Sequence, residues 1–439
     1  MLDIKFIREN AAKIKEAAKN KNIKVDIDEL IAIDEKRRGM QGEIDNLRSE
    51  RNELAKNIGK TKPTVEQIEK GRELKEKVAQ LEQELEKIEK DYLELMVKVP
   101  TIPAPEVPIG KDDSENKDIF HWGEPRKFNF TPKSYIELAE DLDLIDFKRG
   151  TKVAGYRGYY LKNEAVFLQM AFLMYAMEKL LKKGFTPMIP PTLIKEYALF
   201  GSGYFAGRNY NADVDEIYKI ANEEIEADGQ KNKEDKFLIG TAEPSLLAYF
   251  SDEVIDEEKL PLKMFGFSQC YRSEIGSYGK DTKGIYRVHE FMKVEQVCIT
   301  RADLDEAEKY HQEMLTNSKE LHEELGLPYR ILQICTGDMS AGKYKMFDIE
   351  AWIPSRNAYG ETGSASNFVD WQARRLNVKY KNKDGERQFV YMLNDTALAS
   401  ARTLIALLET YQQADGSIVI PEILHKYLPA GMTKISPKK

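Results

Sequence analysis

The sequence predicts an α+β fold in which a domain built on an antiparallel sheet is preceded by an antiparallel α-helical coiled-coil arm. Three observations carry this expectation. Apolar residues recur on heptad spacing through much of the N-terminal hundred positions, four prolines in Val99–Gly110 end that pattern, and the strand-like runs beyond lack the regular βαβα alternation of a parallel sheet.

The bulk properties narrow the function classes. A chain of 439 residues suggests two or three domains. The net charge of -8 argues against a protein that coats nucleic acid indiscriminately, but leaves room for a local basic surface. No apolar run approaches the roughly 20 residues of a membrane span, and MLDIKFIREN has no signal-peptide core, so a cytoplasmic protein without membrane association is expected. Cys270, Cys298 and Cys335 form no C-x-x-C pair; neither a disulfide framework nor structural zinc is signalled, and buried core thiols are expected.

Taken in order, Asp3 to Asn20 reads as a short helix. Ile33, Met40, Ile44, Leu47, Leu54 and Ile58 then follow a 4-3 spacing, with Arg37 and Arg51 at the two seam positions that complete it. After the break GKTKP (Gly59 to Pro63) the seam resumes as Leu74, Val78, Leu81, Leu85, Ile88, Tyr92, Leu95 and Val99. Each helix would reach about 40 to 50 Å, further than a compact domain needs. Sequence alone leaves the arm open as a dimerisation coil, a spacer or a probe.

The proline-rich stretch sets a domain boundary, giving residues 1–110 and 111–439, with Lys111 to Lys117 as a polar connector. Beyond it, helices are expected at Tyr135–Leu144, Glu164–Lys182, Ala302–Leu325 and Ala399–Tyr411. Strands are expected at Lys236–Ile239, Met264–Arg272, Tyr286–Thr300, Tyr329–Thr336, Lys345–Trp352 and Gln388–Leu393.

The chemistry concentrates in Phe267–Val297. Arg272 and Glu274 lie two apart, on one face of an extended strand; Arg287, His289, Phe291, Lys293 and Glu295 alternate with Val288, Met292 and Val294 further on. The glycines and charges between them (Gly276, Gly279, Lys280, Asp281, Lys283, Gly284) suit a mobile loop. A face carrying arginine, phenylalanine and glutamate can bind phosphate, base and amine together, although cross-strand ion pairs on a surface hairpin would look similar. In GTAEPSL, Thr241 could cap a helix with Glu243 in its first turn. Asp348, Glu350, Glu361 and Ser364 offer hard oxygens suited to Mg²⁺ beside phosphate, or ordinary solvated charge. Arg402, within a run of Ala, Thr, Leu and Ile, requires an anionic or π partner. No Walker loop, GxGxxG, H-E-x-x-H or Ser-His-Asp set emerges, which leaves electrostatic activation of a substrate.

These stretches together resemble the class II aminoacyl-tRNA synthetases, specifically the seryl-tRNA synthetases of the common bacterial type. GFTPMIPP ending at Pro191 resembles motif 1, YRSE followed by Arg287-x-x-x-Phe291 resembles motif 2, and the ART of Ala401 to Thr403 resembles motif 3. TAE (Thr241 to Glu243), TGDMSAGKYKMFDIEAW and the N-terminal arm are further points of likeness, and the similarity spans essentially the whole chain.

The resemblance implies an ATP-dependent ligation of L-serine to tRNA(Ser), through a seryl-adenylate, with tRNA(Sec) open as a second acceptor; a relative that forms an adenylate without charging tRNA is the alternative. It implies a homodimer, a tRNA-binding N-terminal domain and a catalytic class II domain. Arg272 and Arg402 would be catalytic. ATP would meet Arg272, Ser273, Glu274, Val288, Phe291, Glu361, Thr362, Gly363, Ser364 and Arg402, with adenine between Phe291 and Arg402 and with Mg²⁺ on Glu361 and Ser364. Serine would meet Thr241, Ala242, Glu243, Arg272, Glu295, Asn394 and Thr396. The chain departs from the family pattern at Asn394-Asp395-Thr396-Ala397 (relatives read N-G-S-G), at Ala401 (usually glycine) and at Gly363 (usually serine).

Overall fold

The computed structural model describes residues 1–59, 63–221, 225, 229, 234–275, 281 and 283–437. The chain forms two compact units, Met1–Ile102 and Pro103–Lys439.

In the first unit, α1 (Ile4–Glu9) and α2 (Ala11–Asn20) stand where one helix was expected. The break is at Asn10, whose side-chain amide donates to the Phe6 carbonyl at 3.0 Å and so competes with continued helix. The arm follows as α3 (Ile27–Ile58) and α4 (Val65–Met96). Asp26 caps α3 by accepting from Glu29 N–H, and Thr64 with Gln67 forms a capping box on α4. Ile44, Val78 and Leu85 are the buried centre of the seam, flanked by Met40, Leu47 and Leu81. Arg37 keeps its charge at a seam position by lying 4.7 Å over the Tyr92 ring and 3.1 Å from Asp34. Ion pairs Arg48–Glu82, Lys70–Glu50 and Lys77–Glu43 line the flanks, but such exposed pairs contribute little, so the apolar seam holds the hairpin. Residues 60–62, in the expected GKTKP break, lie outside the described residues.

The second unit runs in chain order through β1 (Lys117–Trp122), α5 (Tyr135–Asp141), α6 (Glu164–Lys182), β2 (Thr186–Met188), α7 (Glu243–Ala248), β3 (Leu262–Tyr271), β4 (Glu290–Thr300) and α8 (Leu304–Glu324). It continues through β5 (Tyr329–Gln333), β6 (Lys345–Ile353), β7 (Ala358–Asn367), α9 (Trp371–Leu376), β8 (Tyr391–Ala399) and α10 (Ser400–Thr410). Eight strands form one sheet in the order β1-β5-β6-β7-β8-β4-β3-β2, antiparallel throughout except where β2 meets β3. The antiparallel sheet and helical arm are those the sequence predicts.

Several boundaries differ. The run expected from Tyr286 pairs only from Glu290, because residues 286–289 bend out of the ladder. The run from Tyr329 ends at Gln333, ahead of a 3₁₀ turn at Thr336–Asp338. The run over Gln388–Leu393 divides at Val390 into a short strand, Arg387–Phe389, and β8. Lys236–Leu238 pairs with Leu193–Lys195 outside the main sheet. β7 was not expected as a strand, and β1 starts in the residue that closed the expected polar connector. All three cysteines are buried free thiols, as expected. The loop expected at Gly276, Gly279 and Lys280 lies outside the described residues.

One face of the central strands is covered by α8; Met314 and Leu321 join Leu393, Ala397 and Ala351 in the main core. The residues that alternate to the other face of β4, β7 and β8 are those with chemistry.

Candidate active site

On β4, Phe291, Lys293 and Glu295 share a face by two-residue alternation. Thr396 stands directly across from Glu295 on β8, and its hydroxyl donates to Glu295 Oε2 at 3.0 Å. Lys293 Nζ lies 2.5 Å from the same carboxylate oxygen and 3.1 Å from Thr396 Oγ1. All three side chains are buried.

A second carboxylate adjoins them. Glu243, in the first turn of α7, accepts from Gln372 Nε2 at 2.6 Å and Asn394 Nδ2 at 2.8 Å on Oε1, and from the Tyr204 hydroxyl at 2.8 Å on Oε2. Burial, reinforced by the Glu295 charge, pushes its acid up to about 7. Thr241 is not the helix cap: Ala242 holds that position without a side-chain bond, and the Thr241 hydroxyl reaches Glu243 N–H only at 3.5 Å. The approach of α7 to the sheet depends on Gly266, where a Cβ would come 2.7 Å from that of Ala242. The motif 1 stretch fastens to the same helix through Ser245 Oγ, which donates to the Pro191 carbonyl at 2.7 Å.

Beside these groups an open cleft is lined by Arg272, Glu274, Tyr286, Arg287, Val288, Phe291, Lys293, Glu361, Thr362, Gly363, Thr396, Ala399, Ala401 and Arg402. Arg272 lies 5.6 Å over the Phe291 ring and donates from Nε to the Gly240 carbonyl at 3.3 Å. Arg402 finds both kinds of partner that its sequence setting requires: it lies 4.6 Å over the Tyr286 ring and 3.0 Å from the Glu361 carboxylate. The guanidinium over Phe291 is thus Arg272's, while Arg402 stacks on an aromatic that sequence reasoning missed. Glu274, at φ +55 in the left-handed region, pairs with Arg287 at 2.8 Å and with Arg157 at 3.9 Å.

Glu361 and Ser364 are three apart, a spacing that a regular strand would split between faces. An irregularity opposite Ile349/Glu350 absorbs one residue, so Glu361 pairs with Glu350 while Ser364 pairs with Asp348, and all four share a face. Glu350 is engaged by Arg330 at 2.6 Å. Asp348 stands directly across from Ser364, and its Oδ1 is buried without a hydrogen-bond partner among the described residues. Burial and the nearby Glu361 charge push the Asp348 acid well up, whereas at Glu361 burial is outweighed by Arg402, which holds that carboxyl below its usual range. Carboxylate, hydroxyl and an unpaired acid oxygen on one face form a hard-oxygen set that fits Mg²⁺. Gly363 belongs to this geometry, since a Cβ there would come 2.9 Å from the Thr396 carbonyl.

The opposite face fixes these strands. Asp395, the residue that departs from the family glycine, points to α8, where it accepts from Ser318 Oγ at 2.6 Å and Gln296 Nε2 at 2.9 Å. His322, held neutral by burial at about 4, donates from Nδ1 to the Ser318 carbonyl and accepts the Thr362 hydroxyl at Nε2, each at 2.8 Å. The Thr362 hydroxyl is thereby used on this side, leaving its backbone to line the cleft. Of the residues named from sequence, Ser273, Ser364, Thr241, Ala242, Glu243, Glu295 and Asn394 do not line the cleft; Glu295 adjoins it through its hydrogen bond from Thr396, and Glu243 is bonded to Asn394 behind it. Tyr204, Gln372 and Tyr286 carry no local signal, while Lys293 was visible on the strand face without an evident role.

Residues 1–103 match the family described as seryl-tRNA synthetase N-terminal domain, and residues 218–411 match the tRNA synthetase class II core domain (G, H, P, S and T). The chain is 42% identical to the serine--tRNA ligase of Treponema denticola over 432 residues, 97% of this chain and 98% of the relative. It is likewise 42% identical to that of Dictyoglomus turgidum over 444 residues, 100% of both. Among solved structures, seryl-tRNA synthetase from Pyrococcus horikoshii complexed with ATP superposes with a TM-score of 0.87 at 37% identity, covering 100% of both chains. Cytoplasmic serine-tRNA ligase from Naegleria fowleri in complex with AMP gives 0.84 at 30% identity, over 100% of this chain and 99% of that one.

Proposed function

The chain belongs to the seryl-tRNA synthetase family, and from that premise we propose how its residues activate serine with ATP and transfer it to tRNA(Ser). The observation that carries the reading is the pairing of Glu295 with Thr396 at 3.0 Å beside a cleft lined by Arg272, Phe291, Glu361 and Arg402. Glu295 holds the serine ammonium and Thr396 its hydroxyl, with Asn394 and the Thr241–Glu243 segment closing the pocket. Alanine would leave these buried polar groups unmatched, and a site built around a substrate hydroxyl rejects such an analogue by about 10⁴-fold. Threonine is refused by volume.

ATP lies along the cleft with its adenine against Phe291, held by Glu274 and the backbone at Val288, and its phosphates toward Arg272 and Arg402. Thr362 and Gly363 contribute to its walls. Glu361 and Ser364 would hold Mg²⁺, which would offset phosphate charge. A serine carboxylate oxygen attacks the α-phosphorus, the bond to the bridging oxygen breaks, and its electron pair leaves with pyrophosphate. Arg272 stabilises charge at the reacting phosphate and Arg402 charge on the leaving group; alignment supplies the rest, with no covalent enzyme intermediate. The terminal ribose hydroxyl of tRNA then attacks the seryl carbonyl and releases AMP.

Residues 1–110 act as the tRNA-binding domain and 111–439 as the catalytic domain. The protein works in the cytoplasm as a homodimer. An apolar stripe on α6 supports that assembly, with Phe167, Met174 and Leu181 each about half exposed at seven-residue intervals (49%, 45% and 56%). The test is amino-acid-dependent ATP/pyrophosphate exchange followed by charging of tRNA(Ser) and tRNA(Sec). Serine should support exchange far better than threonine or alanine, and tRNA(Ser) should be charged. Exchange without charging of either tRNA would favour an adenylate-forming protein that serves another acceptor.

A further inference from the structure

Lys293 occupies the place where a substrate ammonium would be expected. Its Nζ contacts Glu295 Oε2 at 2.5 Å and Thr396 Oγ1 at 3.1 Å, the two acceptors assigned above to serine. Glu295 is 2% exposed, and a carboxylate so buried is costly without a cation. The lysine therefore does for the free site what serine does for the loaded one.

Its position on β4 supplies the second half of the argument. Phe291, Lys293 and Glu295 follow one another on one face, about 7 Å apart, so the lysine sits between the adenine support and the amine acceptor. That is where carboxylate and α-phosphate must meet. Ala399, directly across on β8, lines the same cleft and leaves room for a long side chain to swing.

We propose that Lys293 is a catalytic residue that guards the amine subsite: it neutralises Glu295 in the free enzyme, is displaced when the serine ammonium arrives, and turns its charge to the serine carboxylate and α-phosphate. This rests on the assignment of Glu295 and Thr396 to serine. Lys293 remains an ammonium throughout, and no proton passes to or from it. The bond formed is carboxylate oxygen to phosphorus; the bond broken is phosphorus to bridging oxygen, with the electron pair leaving on pyrophosphate.

The test uses the full chain with Lys293→Met and Lys293→Arg, and ethanolamine as a probe that carries the ammonium and hydroxyl of serine without its carboxylate. Lys293→Met should lower kcat for exchange about 100-fold and bind ethanolamine about tenfold more tightly by calorimetry, because the subsite is vacated. Lys293→Arg should recover part of kcat. A kcat within threefold of the parent, or ethanolamine binding that is unchanged or weaker, would overturn the proposal. Should Lys293→Met not fold, the pair Glu295→Gln and Glu295→Gln/Lys293→Met, which bury no lone carboxylate, decides the matter. A further loss of about tenfold in kcat on adding Lys293→Met supports a direct role, and no loss reduces the lysine to a counter-ion. Failure of the unsubstituted enzyme to exchange with serine would instead sink the serine assignment itself.

Discussion

Arg402 Nη1 donates to Glu361 twice, to its backbone carbonyl at 2.8 Å and to its Oε2 at 3.0 Å. One guanidinium thus fixes both the strand and the carboxylate proposed to hold Mg²⁺. Arg402→Ala should lower kcat for serine-dependent exchange by about 10²- to 10³-fold. Arg402→Lys should restore less than a tenth of that loss, since an ammonium cannot hold both oxygens and stack on Tyr286. Steady-state exchange assays check both.

Glu361 and Ser364 differ in what they would give a cation. Glu361→Gln should raise the Mg²⁺ concentration for half-maximal exchange by more than about tenfold, and Ser364→Ala by less, because Asp348 Oδ1 remains on the same face. A titration of exchange against Mg²⁺ at fixed ATP separates them.

Glu243 gives the site a stability signature in pH. Its acid lies at about 7 in the fold against 4.5 outside it, so the fold favours the protonated form. The resulting stabilisation is complete below pH 4.5 and is lost as pH rises through about 7, a change of about 3 kcal/mol in all. Glu243→Gln should flatten the fall in melting temperature between pH 5 and 8, measured by calorimetry. An equally steep fall in the variant would place its origin elsewhere.

The α6 stripe predicts association. Met174→Glu together with Phe167→Glu should convert a dimer to a monomer in sedimentation velocity, since paired charge on an apolar face opposes its burial. A monomeric parent protein would remove the stripe from the assembly.

The arm predicts a split between the two half-reactions. Deleting residues 30–98 should leave serine-dependent exchange within a few-fold and reduce charging of tRNA(Ser) more than about 100-fold. Charging that survives would make the arm a purely structural element.

What was legible in the sequence is what local pattern determines. The arm seam could be read because each heptad position recurs on its own helix, and Arg402 could be flagged because a charge amid Ala, Leu and Ile demands a partner. β7 was not recognised because Gly360, Gly363, Ser364 and Asn367 are poor strand formers, held extended only by β6 and β8 on either side. The irregularity at Thr362 is equally silent, since its register is set by the partner strand. Tyr204 and Gln372 reach Glu243 from 39 and 129 residues away, so only the folded chain shows them as neighbours. The Asp395 departure is harmless to the substrate face for a reason that alternation alone could suggest: it points to α8.

The backbone at Glu274 bears on how this enzyme can be engineered. A side chain at φ +55 costs about 1 to 2 kcal/mol that glycine would not. Glycine there would relieve that strain but take from Arg157 and Arg287 the carboxylate they share, and removing one partner of a buried ion pair costs about 3 to 5 kcal/mol. A library screened for survival of heating would therefore keep Glu274, because the ion pairs its left-handed backbone makes possible outweigh the strain it carries.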